Sequence, residues 1–367
     1  MTRDSEQQQR PAPADWCPLR LTTPVAQHVF GGRAIPDRLG RTGLPDGPVA
    51  ETWEVSDVEG AGAEVVGGPL AGRSLRELVR DHPAELIGAR GADGPRFPLL
   101  TKFIDAHRAL PVHVHPDDAD ARALDGEPNG KTEAWHILYA RPGATAWAGT
   151  VPGVGRGRLR QALLDEDFAS VLRRLPVRAG DTLYVPAGTV HSFGPGTLVY
   201  EIEQTSDLQQ HAMRHRMEDG AALGDEQRHA NIEALLDRWK PRYRPRFHPG
   251  LPLPAAAGTE RRVLAAGPYF ALERHRAVDG AGLALSFDSA VVLSNVGRPV
   301  RLSWDGGTES LGAGATLLLP AVLARATVHG PADVLLGHVP ELDRDIRAPL
   351  TAAGHDPAAV SALGEGV

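Results

Sequence analysis

A chain of 367 residues is long enough for two or three domains, each able to bury a sizeable interior. Its formal charge of −7 excludes a general attraction for nucleic acid or an anionic membrane, so a phosphate on any ligand has to be met by a local cluster of bases. The 41 Gly and 31 Pro demand many turns and favour a β-rich architecture over a helical bundle, and the single Cys17 allows neither an internal disulfide nor a thiolate metal site, which fits a reducing, cytoplasmic setting.

The opening "MTRDSEQQQRPAPADW" is polar, lacks the apolar core of a signal peptide, and predicts disorder over residues 1–18. No later window approaches the roughly 20 apolar residues of a membrane span. After the extended segment "CPLRLTTPVAQHVFGG", the run "RSLRELVRDHPAELIG" (73–88) sets apolar residues at helical spacing between a Ser and a Gly, which are helix start and stop signals. "RFPLLTKFIDA", "LPVHVH", "TEAWHILYA", "TAWAGT", "DTLYVPA" and "TLVYEIEQ" are short strand-like runs separated by Pro, Gly or Asp. Between them, "RGRLRQALLDEDFASVLRRL" (156–175) predicts one or two amphipathic helices. Many short strands with helical insertions make a small double-sheet barrel.

From about residue 225 the pattern changes. "EQRHANIEALLDRWKPRYRPRFHPG" begins helical and ends as a Pro-punctuated connector, whose basic run reads as a solvated linker on an acidic chain and not as a nucleic-acid patch. A second set of short strands follows, and its "LGAGATLLLPA" parallels "VRAGDTLYVPA" in the first set. The expectation is a mainly β protein of two related barrels with helical insertions in and after the first. The first, 19–240, carries the chemistry; the second, 241–342, lacks the paired His and the Glu; the tail 343–367 is a small helix or a frayed end.

The chemistry centres on "RALPVHVHPDD". Side chains two apart on a strand share a face, so His113 and His115 project together while Val114 faces away. Glu133 opens the strand of "NGKTEAWHILYA", and His191 follows the Gly180-Asp181 and Pro186-Ala187-Gly188 turns. Hairpins bring these strands together, giving two or three imidazoles and a carboxylate suited to Zn, Mn, Fe or Ni. His136 points to the other face and reads as packing or surface.

The order Gly-Asp, strand, Pro-x-Gly, His, preceded by "HVH" and a Glu, resembles the cupin metal motif. More narrowly, "FPLLTKFIDAHRALPVHVHPDD", "GKTEAWHILYA", "VRAGDTLYVPAGTVHSFGPG" and "LVYEIEQTSD", with the earlier "LTTPVAQHVFGGRAIPDRLG" and "ETWEVSD", resemble the class I mannose-6-phosphate isomerases in their short bacterial form, over roughly residues 20–340. The resemblance implies two jelly-roll cupin barrels and interconversion of mannose 6-phosphate and fructose 6-phosphate. It implies a metal, usually Zn2+ with Mn2+ and Fe2+ as alternatives, held by His115, Glu133 and His191, with His113 standing where many members have Gln. Lys131, His211 and Asp207 are then the proton-shuttle candidates, and Lys102, Arg214 and Arg216 the bases to grip a sugar phosphate. The family's Arg ten residues beyond Glu201 is His211 here, a departure that bears on turnover. Three His with one Glu also suits an Fe or Mn cupin dioxygenase or an isomerase of an unphosphorylated sugar, and loss of the Arg suits a non-catalytic sugar-binding homologue. The expected partner is a small sugar phosphate, with no nucleic acid or membrane, in a monomer or homodimer.

Overall fold

The computed structural model describes residues 16–92 and 94–367. Residues 1–15 of the stretch expected to be disordered lie outside the described residues; residues 16–18 are packed, Trp16 being 4% exposed with its ring edge-on to His82. The chain is mainly β, in four antiparallel sheets. The first, six-stranded, runs in the spatial order Val25–Ala26, Glu51–Val55, Leu99–Ala106, Thr197–Gln204, Glu133–Ala140, Thr182–Val185. A five-stranded sheet, Gln210–His211, His113–Val114, His191–Phe193, Thr145–Thr150, Leu172–Pro176, closes over it. Between them lies a core of Ile104, Trp135, Ile137, Ala146, Leu183, Phe193 and Val199.

The second half repeats this plan. Its six-stranded sheet is Leu251–Leu253, Thr259–Ala266, Ala271–Ala277, Ala332–His338, Val291–Asn295, Thr316–Leu319, and its four-stranded partner is Gly282–Ser286, Arg325–His329, Val300–Trp304, Gly307–Leu311. The two strands of the faint repeat, Thr182–Val185 and Thr316–Leu319, hold the same edge position in the two six-stranded sheets. Those sheets stack back to back through a core shared by Phe103, Tyr200 and Ile202 on one side and Leu272, Val292 and Leu335 on the other. Gly337 permits the close approach, since a Cβ there would sit 2.6 Å from the Ile202 side chain.

The predicted helix at 73–88 is observed as Leu75–Asp81 and Pro83–Leu86, started by Ser74, whose hydroxyl accepts the Glu77 N–H while the Glu77 carboxylate accepts the Ser74 N–H. The stretch 156–175 differs from its reading: only Arg156–Asp165 is α-helical, and after a turn at Phe168–Ser170 the chain becomes the strand Leu172–Pro176. Glu166 adopts a left-handed φ of 58° that ends the helix, and pairing with Thr145–Thr150 then overrides helical periodicity. The helix expected after 225 spans Asp225–Arg238. The tail is folded and not frayed: it forms helical turns at Leu342–Arg347, Ala348–Ala352 and Pro357–Ser361, and Ile346, Leu350, Val360 and Leu363 bury against Leu253 and Val263. No helix of the described residues is long and apolar enough to cross a membrane.

His136 is packing, one of the two roles suggested by its position on the strand face opposite Glu133. It is fully buried at the junction of the two halves, its Nδ1 2.9 Å from the Thr182 hydroxyl and its Nε2 3.1 Å from the Arg274 guanidinium. Burial first, then the charges of Arg274 and Arg276, lower its pKa to about 3. The unfolded chain therefore binds a proton between about pH 6.5 and pH 3 that the folded one refuses, and stability falls as pH drops through that window. Replacing His136 by Asn is expected to flatten the fall in urea midpoint between pH 7 and pH 5; an unchanged slope would remove this residue from the acid sensitivity.

Candidate metal centre and its cavity

Each ring nitrogen in the cluster has its role set by backbone. His113 Nδ1 lies 2.8 Å from the Pro111 carbonyl, His115 Nδ1 2.6 Å from that of Leu208, and His191 Nδ1 2.8 Å from that of Thr189. A carbonyl only accepts, so every Nδ1 carries the proton and every Nε2 presents a lone pair. Candidate ligand atoms of the three histidines lie within 4.8 Å of one another, on the inner face where His113 pairs directly with His191 across the strands. Glu133 faces them: its Oε2 is 3.2 Å from His115 Nε2 and its Oε1 is 3.1 Å from His191 Nε2. Trp135 fixes the carboxylate by donating its indole N–H to Oε1 at 2.8 Å.

This donor set fits a divalent cation. Lone pairs facing carboxylate oxygens at that separation repel unless a positive charge lies among them, and His191 Nε2 and Glu133 Oε2 are buried with no hydrogen-bond partner. Burial, followed by the charge of Lys131, lowers the pKa of His115 to about 3, and burial with the neighbouring imidazoles holds His113 well below its ordinary value, so both stay neutral as ligands must.

Around the imidazoles sit buried carboxylates and two buried lysines. Lys131 Nζ is 2.9 Å from Glu203, 3.3 Å from Glu133 and 3.9 Å from Glu201. Burial pulls its pKa down, but Glu203, Glu133 and Glu201 together outweigh that and hold the ammonium well above its usual value. Lys102 Nζ reaches Glu203 at 3.2 Å, Glu51 at 3.7 Å and Asp207 at 3.8 Å, and lies 4.2 Å over the Trp53 ring. Glu201 is pushed the other way: burial, then Glu203 and Glu133, raise its pKa well above the carboxylate range, which favours a neutral acid.

A cavity of about 80 Å3 opens onto this cluster, walled by His28, Glu51, Lys102, His113, Lys131 and Asp207 among others. Of the residues singled out from sequence, His113, His115, Glu133, His191, Lys131, Lys102 and Asp207 converge. Three do not. His211 pairs with His113 in register but its side chain does not line the cavity. Arg214 turns to Glu166 at 3.3 Å and the Leu164 carbonyl, and Arg216 to Asp219, both on the exposed surface, because the short strand Gln210–His211 ends before them and the chain turns outward. The reading missed Glu51, Glu201 and Glu203, although "LVYEIEQ" displays two Glu at alternate positions in an otherwise apolar strand, a pattern that places both on one buried face.

The loops beside the clustered histidines and Glu133 are tied by Asp118. Its Oδ1 accepts the Gly130 N–H at 2.8 Å and the Gln204 amide at 2.9 Å, and its Oδ2 accepts the Tyr269 hydroxyl from the second half at 3.2 Å. The Lys131 N–H bonds to the Pro116 carbonyl, and Gly130 has no room for a Cβ, which would stand 2.4 Å from the Asp117 carbonyl carbon. Asp118→Ala is expected to weaken metal affinity about 10–100-fold by releasing these loops, while leaving every ligand in place; metal titration with unchanged affinity would show that the tie is idle.

Fold and site together define a cupin-type β protein with an inner-face site of histidines and carboxylates. A family profile described as "Phosphomannose isomerase type I, catalytic domain" matches residues 19–136. The chain is 29% identical over 323 residues to the "Probable mannose-6-phosphate isomerase GmuF" of Bacillus subtilis (strain 168), covering 88% of this chain and 99% of that protein. It is likewise 29% identical over 329 residues to the "Mannose-6-phosphate isomerase" of Streptococcus mutans, covering 88% and 98%. A crystal structure of the mannose 6-phosphate isomerase from Bacillus subtilis superposes with a TM-score of 0.79 at 25% identity, covering 88% of this chain and all of that one. The chain is thus similar to type I phosphomannose isomerases, by profile over residues 19–136 and by alignment over most of its length.

Proposed function

We propose that this protein is a metal-dependent aldose–ketose isomerase that interconverts mannose 6-phosphate and fructose 6-phosphate. The observation that carries the reading is the convergence of three imidazole lone pairs and a buried carboxylate beside two buried ammonium groups, in a chain alignable nearly end to end with relatives named for that reaction. His115, Glu133 and His191, with His113 as fourth ligand, would hold the ion, and Zn2+ is our assignment. When bound, the ion supplies positive charge that polarises the sugar oxygens at C1 and C2.

The chain's own groups move and hold the proton. Isomerisation removes a proton from C2 of the open-chain aldose and returns one to C1, while the O2 hydroxyl proton passes to O1, with an enediol between. Lys131, kept cationic by its carboxylates, donates hydrogen bonds to the oxygen on which charge develops. Asp207, held 3.8 Å from Lys102 and about half exposed at the cavity wall, accepts the proton from C2 and delivers it to C1. Glu201, favoured as a neutral acid, donates a further hydrogen bond and adds no charge. The cations on the cavity wall that can meet the sugar phosphate are Lys102 and Lys131, with His28 beside them. Residues 19–240 carry this chemistry, and residues 241–342 take no part in it.

The decisive experiment is a coupled assay with mannose 6-phosphate on protein stripped by chelator and then reloaded with single metals. Turnover that disappears on stripping and returns with zinc supports the reading; iron-dependent oxygen uptake without isomerisation would replace it with the oxygenase that three His and one Glu also suit.

A further inference from the structure

The second half of the molecule contains a larger cavity, about 540 Å3, at the place in the fold that the metal cavity occupies in the first. Strand register shows the equivalence. In the first half Glu133 pairs with Glu203 on one side and Val185 on the other, and Lys102 pairs with Glu201. In the second, Val291 pairs with Leu319, the counterpart of Val185 just before the Pro-Ala exit, and Val292 with Gly337, one step from His338; Glu273 pairs with Leu336. Val291 thus stands at the position of Glu133, Glu273 at that of Lys102, Leu336 at that of Glu201 and His338 at that of Glu203. All four line the larger cavity.

The metal chemistry has gone from this copy. Valine replaces the ligand carboxylate, and Arg325, five residues past Pro320 as His191 is past Pro186, is exposed. Among the described residues, the histidine and carboxylate groups that converge closely enough for an ion lie at the first cavity alone.

What remains is a different recognition surface. Glu273, 3% exposed, receives two guanidinium N–H bonds from Arg261 at 2.7 and 2.8 Å and one from His275 Nε2 at 2.8 Å. Arg90 and Arg344 are both committed to Asp288. Every arginine on the wall therefore has its carboxylate, and none is left over for a phosphate or carboxylate ligand. The His338 ring, unlike its backbone, makes no hydrogen bond among the described residues and lines the cavity. The strand Gly282–Ser286 is the free edge of its sheet, and the Gly330 to Ala281 and Phe287 to Ala324 backbone bonds set its register. By alternation, the N–H and C=O groups of Gly282, Ala284 and Ser286 point away from the sheet. Leu283, Leu285, Phe287 and Leu336 supply an apolar face.

We propose that this cavity is a binding site for an uncharged sugar of one or two rings. Its volume falls within the range of about 300–1,000 Å3 usual for small-molecule sites. Neutral donors and acceptors suit hydroxyls, the apolar wall suits the C–H face of a sugar ring, and the internal balance of charge gives no grip on a phosphate ester.

The test is calorimetric titration of the full-length, metal-loaded protein with methyl α-mannoside, mannobiose and cellobiose, with mannose 6-phosphate as the control for the first cavity. The expected result is saturable binding of at least one neutral sugar that persists in Glu133→Ala, where isomerisation is lost. His338→Trp, which puts a larger ring on the cavity wall, is expected to weaken that binding at least about 10-fold, near 1.4 kcal/mol, with kcat/KM for mannose 6-phosphate unchanged. His338→Ala, with an unchanged melting temperature as the check on folding, gives a second reading of the same loss. Absence of saturable binding with all three sugars, binding that both second-cavity variants leave intact, or binding that vanishes with Glu133→Ala overturns the proposal.

Discussion

Replacing Glu133 by Gln is expected to lower kcat/KM for mannose 6-phosphate by at least about 10^3-fold, because it removes the anionic ligand while conserving shape. The carboxylate is held by Trp135 and set 3.1–3.2 Å from two imidazole Nε2 atoms, so an amide there offers those lone pairs a dipole in place of a charge. It also leaves Lys131 with two carboxylate neighbours instead of three. Metal content after dialysis, measured beside the coupled assay, separates lost binding from lost chemistry. A variant that keeps both its ion and its turnover would remove Glu133 from the site.

Lys131→Met carries the second large effect, and it acts on stability as well as on turnover. Glu133, Glu201 and Glu203 are all buried, with oxygens close enough together to hold an ion, and Lys131 is the cation they share. Withdrawing it leaves a buried carboxylate without its cation where water cannot replace it, an expected loss of about 3–5 kcal/mol in the metal-free protein. Turnover is expected to fall about 10^2–10^3-fold from the loss of a donor at the developing oxyanion. Lys131→Arg separates the two effects: the charge restores much of the stability, but a planar fork in a space shaped for an ammonium leaves turnover low. Urea midpoints of the metal-free proteins and the coupled assay check both outcomes. Wild-type midpoint and wild-type rate in Lys131→Met would contradict the electrostatic account of the site.

The clustered histidines were legible because a strand has a period of two, and His113-Val114-His115 announces a shared face before any fold is known. The turns were legible for a similar reason: Gly180 and Gly188 adopt φ of 91° and 86°, backbone that glycine enters freely. Less legible was the stretch 156–175, where local periodicity favours helix through Leu175 but partner strands at Thr145–Thr150 claim its last third. Arg214 and Arg216 mark another limit. Nearness in sequence to a site strand placed them as phosphate ligands, whereas direction after the strand's end turns them to Glu166 and Asp219.

The sequence by itself determined that this chain is β-rich and which side chains share a strand face. These follow from composition, turn chemistry and alternation, all of which act over a few residues. Tertiary structure alone decided which charges meet. Lys131 and Lys102 lie among Glu51, Glu133, Glu201 and Glu203 because four neighbouring strands present them to one interior, and Asp118 ties that interior to Tyr269 in the other half. Pairings across 50 to 150 residues depend on strand order and register, and no local pattern of residues encodes either.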